Sequence, residues 1–173
     1  MGGTRFVCSP HPCTWVGIYI EVFSHSLVID RVHHVGSKSE GIFDFVQWDG
    51  DASDCNGHGT HVAASINSNT YGVAHGATVK SIRVLDCQGN GYSDSLLNAL
   101  DLVATYSEEK AKDRGQRVIV NVSLGGPKSN ILNNAVRDLY TLGIPVVASS
   151  GNSNEDACFT SPASESTAIT VGA

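Results

Sequence analysis

Residues 117–150 read RVIVNVSLGGPKSNILNNAVRDLYTLGIPVVASS, and their pattern decides the fold. Residues 117–124 are rich in β-branched side chains, as a strand requires. After the Gly125-Gly126-Pro127 break, residues 130–142 place Leu132, Ala135, Val136 and Leu139 at helical spacing on one inward face. Gly143 stands where a left-handed residue ends a helix, and residues 144–149 form the next strand. Strand, amphipathic helix and strand in succession predict a parallel crossover unit.

The same alternation extends in both directions. Upstream, residues 78–86 read as a strand with Ile82 and Val84 on one face. Residues 88–93 are a turn-rich loop. A helix over 94–106 buries Leu96, Leu97, Leu100, Val103 and Ala104, with Ser93 or Asp94 as its cap. The stretch 108–114 reads as charged and exposed. A short helix begins near His58 and turns Val62, Ala63 and Ile66 inward. Downstream, residues 167–171 supply a fourth strand. Before residue 58 the periodicity is weak, and 15–22, 26–30 and 41–48 are short strand candidates. The expectation is an α/β fold of three layers, a central parallel sheet flanked by helices. Such sheets bind ligands at the carboxyl ends of their strands, here the loops after Leu85, Leu124 and Ser149.

Composition bounds the function. A chain of 173 residues predicts one domain. Its hydrophobic fraction of 41% and charged fraction of 16% are those of a globular protein and exclude a disordered tail. The net charge of −6 argues against a nucleic-acid partner, which demands a basic footprint. No apolar run approaches the roughly 18 residues of a membrane span. Cys8, Cys13, Cys55, Cys87 and Cys158 make an odd count without a CxxC pair, so neither a zinc ribbon nor a thioredoxin-type motif is indicated. The first residues lack the basic and apolar regions of a secretory signal.

Three short stretches carry possible chemistry. In Asp54-Cys-Asn-Gly-His58-Gly-Thr-His61, glycines flank His58 without bulk, so an imidazole at a helix start can be aimed into a cleft. Two other readings stay open: ordinary turn and core histidines, or a metal site on Cys55, His58 and His61, which lacks a fourth ligand at useful spacing. In Ser149-Ser150-Gly151-Asn152, an amide after a strand can donate to a developing oxyanion, although Gly-Asn there is also an ordinary turn. In Ser123-Leu124-Gly125-Gly126-Pro127, small residues at a strand end let an extended peptide approach the backbone; a plain strand-to-helix turn is the alternative.

Together, and in this order, the segments DCNGHGTHVAAS, YGVAHGA, IRVLDCQGNG, VNVSLGGP, VVASSGN and SPASESTAITVGA resemble the subtilisin-like serine proteases, in particular their proteinase K-like branch. The resemblance runs nearly continuously over residues 54–173 and is patchy before them. It implies a serine endopeptidase acting on polypeptides, with a polypeptide substrate or inhibitor as partner and secretion as the expected destination. It implies that His58 is the general base and Asn152 the oxyanion-hole amide. Ser123, Leu124 and Gly125 would pair with the substrate backbone on one side, and Gly89, Asn90 and Gly91 on the other. Cys55 and Cys87 match a pair that is disulfide-bonded in relatives, against the alternative of five free thiols. Cys158 would then pair outside this sequence. No cofactor is required for the chemistry, but residues 164–168 resemble a segment that gives backbone oxygens to a structural calcium ion.

The pattern also departs from the family. No Gly-Thr-Ser nucleophile element occurs in the sequence. The aspartate tripeptide expected to follow the strand at 16–20 is missing; Asp30, followed by Arg31-Val32, is the weak substitute. The expectation is therefore a partial catalytic domain, truncated on its C-terminal side, that does not hydrolyse peptides by itself. A non-catalytic relative retaining a peptide-binding edge is the alternative. The last strand is expected to expose apolar surface at the sheet edge.

Overall fold

The structure, a computed structural model, describes the backbone of residues 17–23 and residues 39–74, 77–112 and 117–172. Its main sheet is built from β1 (Gly17–Phe23), β2 (Ser39–Asp44), β3 (Thr78–Arg83), β4 (Arg117–Val122), β6 (Val146–Ser149) and β8 (Ile169–Val171). They lie in the order β2-β3-β1-β4-β6-β8, and every pairing is parallel. From β1 the chain goes out to the edge strand β2, returns inward to β3 beside β1, then crosses to the other side for β4. β1 is therefore the switch point, and the carboxyl ends of its neighbours β3 and β4 frame the crevice where ligands of such sheets bind. A small antiparallel ribbon of β5 (Gly126–Pro127) and β7 (Thr160–Ser161) stands beside it, Gly126 facing Ser161.

Helices cover both faces. α2 (Ser93–Lys112) and α3 (Asn130–Thr141) bury Leu96, Ala99, Leu100, Val103, Leu132, Val136 and Leu139 against Val118, Val120 and Val122 of β4. Side chains of this size contribute about 1.5–3 kcal/mol each on full burial. In β3 the pleat sends Ile82 into this cluster, while Val79 and Ser81 are buried on the opposite side. There α1 (His58–Asn67) lies against β1 and β3 and buries Ala63.

Most expected elements appear within a few residues of their sequence reading. Ser129 caps α3 through its side chain, which accepts from the Leu132 N–H, and Gly143 follows the helix with φ 78°. The helix expected over 94–106 runs longer: α2 continues to Lys112, with Glu108 and Glu109 exposed on it. Its Glu and Lys residues are good helix formers, so propensity carries the helix beyond its apolar face. The candidate strand over 41–48 is β2 up to Asp44 and a turn thereafter. The candidate over 26–30 lies outside the described residues. β8 is an edge strand with Ile169 and Val171 more than half exposed, as expected.

Candidate active site

His58 is the first residue of α1, preceded by Gly57, which takes φ 103° with no side-chain cap of its own. The capping comes from Asp54. One of its carboxylate oxygens accepts from the N–H groups of Asn56 (2.9 Å) and Gly57 (2.7 Å), and the other from the Thr60 N–H (2.9 Å) and hydroxyl. A carboxylate at the positive end of the helix dipole, tied to donors that α1 leaves unsatisfied, fixes the turn from which His58 projects. The imidazole reaches across to the opposite strand: Nε2 lies 3.2 Å from the Ser123 carbonyl oxygen. A carbonyl only accepts, so this contact places the proton on Nε2. Acting as a base through Nε2 requires the other tautomer.

His58 sits at the mouth of a cleft of about 540 Å³. One wall is the loop after β3, with Leu85, Gly89 and Gly91; the other is the end of β4 and the start of β5, with Ser123, Leu124, Gly125 and Gly126. Leu96 and Leu132 contribute apolar surface from α2 and α3, and Ser161 closes one end. Gly91 pairs with Leu85, and a Cβ at Gly91 would come within 2.3 Å of the Leu85 side chain and 2.5 Å of the Val84 carbonyl oxygen. Only glycine allows that close return of the wall onto β3. The cleft thus offers two backbone edges with apolar recesses between them, a shape suited to an extended polypeptide.

A disulfide joins Cys55 to Cys87, with Cα atoms 5.1 Å apart, and so links the turn carrying His58 to the Gly89–Gly91 wall. Asn56 adds a hydrogen bond from its amide to the Cys87 carbonyl oxygen, 3.1 Å. Beneath lies Arg83. Its guanidinium donates to the fully buried Asp44 carboxylate at 2.9 Å, to the Leu85 carbonyl oxygen at 3.2 Å, and to the sulfurs of Cys55 and Cys87 at 3.3 and 3.7 Å. Asp44 also accepts from the Val46 and Gln47 N–H groups. The buried charges are therefore paired and hydrogen-bonded, as burial demands.

His58, Gly89, Gly91, Ser123, Leu124 and Gly125 all line the cleft. Asn90 does not; it faces a second cavity on the other side of the same wall. Asn152 lies exposed in the loop after β6 and is not among the cleft-lining residues. Asp30 lies outside the described residues. The five-free-thiol alternative and the metal reading are both corrected by the disulfide, which occupies the Cys55 sulfur. Among the described residues no three His, Cys, Asp or Glu side chains cluster around a cation position. For calcium, residues 164–168 carry one carboxylate, Glu165, and it is engaged by Arg137 at 2.6 Å and by the Thr167 N–H. Those residues alone do not fit a hard cation, which takes six to eight oxygens, carboxylates among them. Burial works against ionisation of Glu165, but the Thr167 N–H, the Arg137 guanidinium and the Thr167 hydroxyl outweigh it and hold its carboxyl below the ordinary value. Cys158 is exposed and unpaired among the described residues; the Asp156 carboxylate beside it pushes its thiol up, leaving it a poor nucleophile.

The sequence reading assigned no part to Asp54, Arg83 or Tyr92. An acidic residue three positions before a glycine-led helix start is a recognisable capping signal for the first. For Arg83 there was none, because its partner Asp44 is 39 residues away.

Residues 33–173 match the Subtilase family of S8 peptidases. The chain is 40% identical over 163 residues to the "Extracellular serine proteinase" of Thermus sp. (strain Rt41A), a match covering 94% of this chain and 38% of that protein. It is also 40% identical over 125 residues to "Proteinase T" of Parengyodontium album, covering 72% and 42%. A solved "cold adapted subtilisin-like serine proteinase" superposes with a TM-score of 0.78 at 36% identity, covering 89% of this chain and 54% of that one. The chain spans less than half the length of the two curated relatives. With its switch-point cleft, its His58-bearing helix and a family match over residues 33–173, the chain belongs to the subtilase family.

Proposed function

We propose that this chain forms the substrate-binding cleft and general-base portion of a serine endopeptidase that acts on extended polypeptides. The observation that carries the reading is the cleft itself, which gathers His58, the Ser123–Gly125 strand end and the Gly89–Gly91 wall at the switch point of the sheet. A polypeptide entering it would add a strand between the two edges, its amides pairing with backbone groups and its side chains filling the apolar recesses. In the family reaction His58, with Nδ1 protonated, accepts the proton of an attacking serine hydroxyl and returns it to the leaving amine. Asn152 would donate to the oxyanion from the loop after β6. The nucleophile is not in this sequence, so the chain by itself binds polypeptides or inhibitors without cleaving them. A binding-only relative is the second reading, favoured by the Nε2 contact with the Ser123 carbonyl oxygen, which a protonated Nε2 makes and an Nε2 acting as base does not.

The reaction as proposed uses no cofactor. A structural calcium ion would take backbone oxygens from residues 164–168 and need a carboxylate from elsewhere. Secretion is proposed because the Cys55–Cys87 bond suits an oxidising compartment and a relative is named extracellular. No described helix is long and apolar enough to cross a membrane.

The test is binding of a fluorescent extended peptide, followed by anisotropy, beside the same peptide N-methylated at alternate residues. We expect the parent peptide to bind and the methylated one to lose at least tenfold, since methylation removes the edge hydrogen bonds. Equal binding of both would sink the strand-addition reading. Labelling of this chain by a fluorophosphonate would contradict the absence of a nucleophile.

A further inference from the structure

The buried Arg83 divides its donors unequally. Nη1 donates to the Asp44 carboxylate at 2.9 Å, and Nε to the Leu85 carbonyl oxygen at 3.2 Å. Nη2 is turned on the disulfide, 3.3 Å from the Cys55 sulfur and 3.7 Å from the Cys87 sulfur. Arg83 is only 5% exposed, so protein partners rather than water fix this arrangement. The Asp44 carboxylate balances the charge of the guanidinium, but it engages the other arm; the N–H donors of Nη2 still meet sulfur. A disulfide sulfur is a weak acceptor, whereas a thiolate in the same place would receive a charge-assisted bond. The residue beneath the bond therefore favours the state in which that bond is open.

Exchange with a thiol needs access and a leaving sulfur whose thiolate is stabilised. Cys55 and Cys87 are both exposed residues. Their sequence neighbours do not tell them apart, since each follows an aspartate, Asp54 and Asp86. The guanidinium does: it lies nearer the Cys55 sulfur, which makes Cys55 the better leaving group.

We propose that the Cys55–Cys87 bond is a modification site for small aliphatic thiols, opened by attack at Cys87 with Cys55 as the leaving sulfur. The thiol first loses its proton to solvent. Its sulfur then bonds to the Cys87 sulfur, the Cys55–Cys87 bond breaks, and the electron pair of that bond stays on Cys55 as a thiolate held by Arg83. One disulfide replaces another, so nothing is oxidised or reduced overall. The Cys55 thiolate reverses the step by attacking the Cys87 sulfur and expelling the small thiol. While the mixed disulfide lasts, the turn carrying His58 is unfastened from the Gly89–Gly91 wall. This chemistry is independent of what the cleft binds.

The test uses the full chain with Cys8→Ser, Cys13→Ser and Cys158→Ser, so that no other thiol competes. The folded protein is mixed with excess 2-mercaptoethanol, an uncharged monothiol, sampled early, blocked with N-ethylmaleimide and mapped by mass spectrometry without reduction. Mercaptoethanol on Cys87 with maleimide on Cys55 should exceed the reverse pattern by about fivefold, and the preference should vanish in urea. Arg83→Met combined with Asp44→Asn removes the guanidinium without stranding the carboxylate; it should slow the opening by about tenfold and erase the preference. An arginine that serves structure alone predicts the opposite, because a loosened chain exchanges faster. Should the double variant not fold, Arg83→Lys keeps the cation, loses the second arm and should weaken the preference for Cys87. An equal or inverted distribution of the adduct overturns the proposal. So does a preference that persists in urea, the absence of adduct in the folded chain where the unfolded one reacts, or unchanged or faster opening without the guanidinium.

Discussion

Asp54→Ala should loosen the turn that presents His58, and its cost can be worked from the structure. Asp54 accepts from three backbone N–H groups, of Asn56, Gly57 and Thr60, and from the Thr60 hydroxyl. Losing a helix cap costs about 0.5–2 kcal/mol. Hydrogen bonds to an ionised group contribute about 1.5–3 kcal/mol each when water cannot replace them. Here it can at Asn56 and Gly57, which are exposed, so the bonds do not sum. The Thr60 N–H is half-buried and replaces its partner less easily. We predict a loss of about 2 kcal/mol, near the top of the capping range. In urea, with a slope of about 2 kcal/mol per molar, the midpoint should fall by about 1 M. Asp54→Asn keeps one carbonyl oxygen, loses the other acceptor and the charge, and should cost roughly half as much. The local signature is faster hydrogen exchange of the Asn56, Gly57 and Thr60 amides in the Ala variant, by up to about 30-fold at 1.4 kcal/mol per decade. An Ala variant with an unchanged midpoint and an unchanged Thr60 exchange rate would refute the reasoning.

Three further outcomes are expected. Replacing Cys55 and Cys87 by serine reopens a loop of 32-residue separation and should lower stability by about 3–4 kcal/mol on the chain-entropy model, read as a urea midpoint shift. Arg83→Met leaves the fully buried Asp44 carboxylate without its cation; the loss should be about 3 kcal/mol, the low end for a broken buried pair because the Val46 and Gln47 N–H groups remain, and Asp44→Asn in the same chain should recover part of it. The folded Glu165 carboxyl titrates below the ordinary 4.5, so its contribution to stability is complete above that value and is lost as pH falls through the lower folded value. Glu165→Gln should flatten that acid-side fall in thermal melts, and an unchanged pH profile would remove Glu165 as its source.

What could be foreseen from the residues depended on how local the cause was. β4 and α3 were legible because their apolar spacing is set within a single element and punctuated by Gly143. The end of α2 was not, because Ser107 to Lys112 carries no apolar stripe and helix formation there rests on propensity alone. In the site, the glycine-flanked His58 and the small residues at 123–126 and 89–91 marked close backbone approaches, and these residues line the cleft, Asn90 excepted. Asn152 was inferred by resemblance, and its loop stands away from the cleft lining. The Arg83–Asp44 pair joins two neighbouring strands and turned a charged side chain inward, against the outward reading that a lone arginine in a strand invites. Trp48 was taken as the end of a strand candidate, whereas its left-handed turn ends that strand four residues earlier.

The bond between Cys55 and Cys87 has a mechanical corollary. It fastens the imidazole-bearing turn to the loop facing it, so these two parts can only travel as one jaw. The remaining jaw, Ser123 to Pro127, runs on from β4 and pairs through Gly126 and Pro127 with Ser161 and Thr160, with no disulfide to it among the described residues. Any change in aperture as a guest enters or leaves should therefore be made by that second jaw swinging with its mooring, while the stapled side keeps its shape.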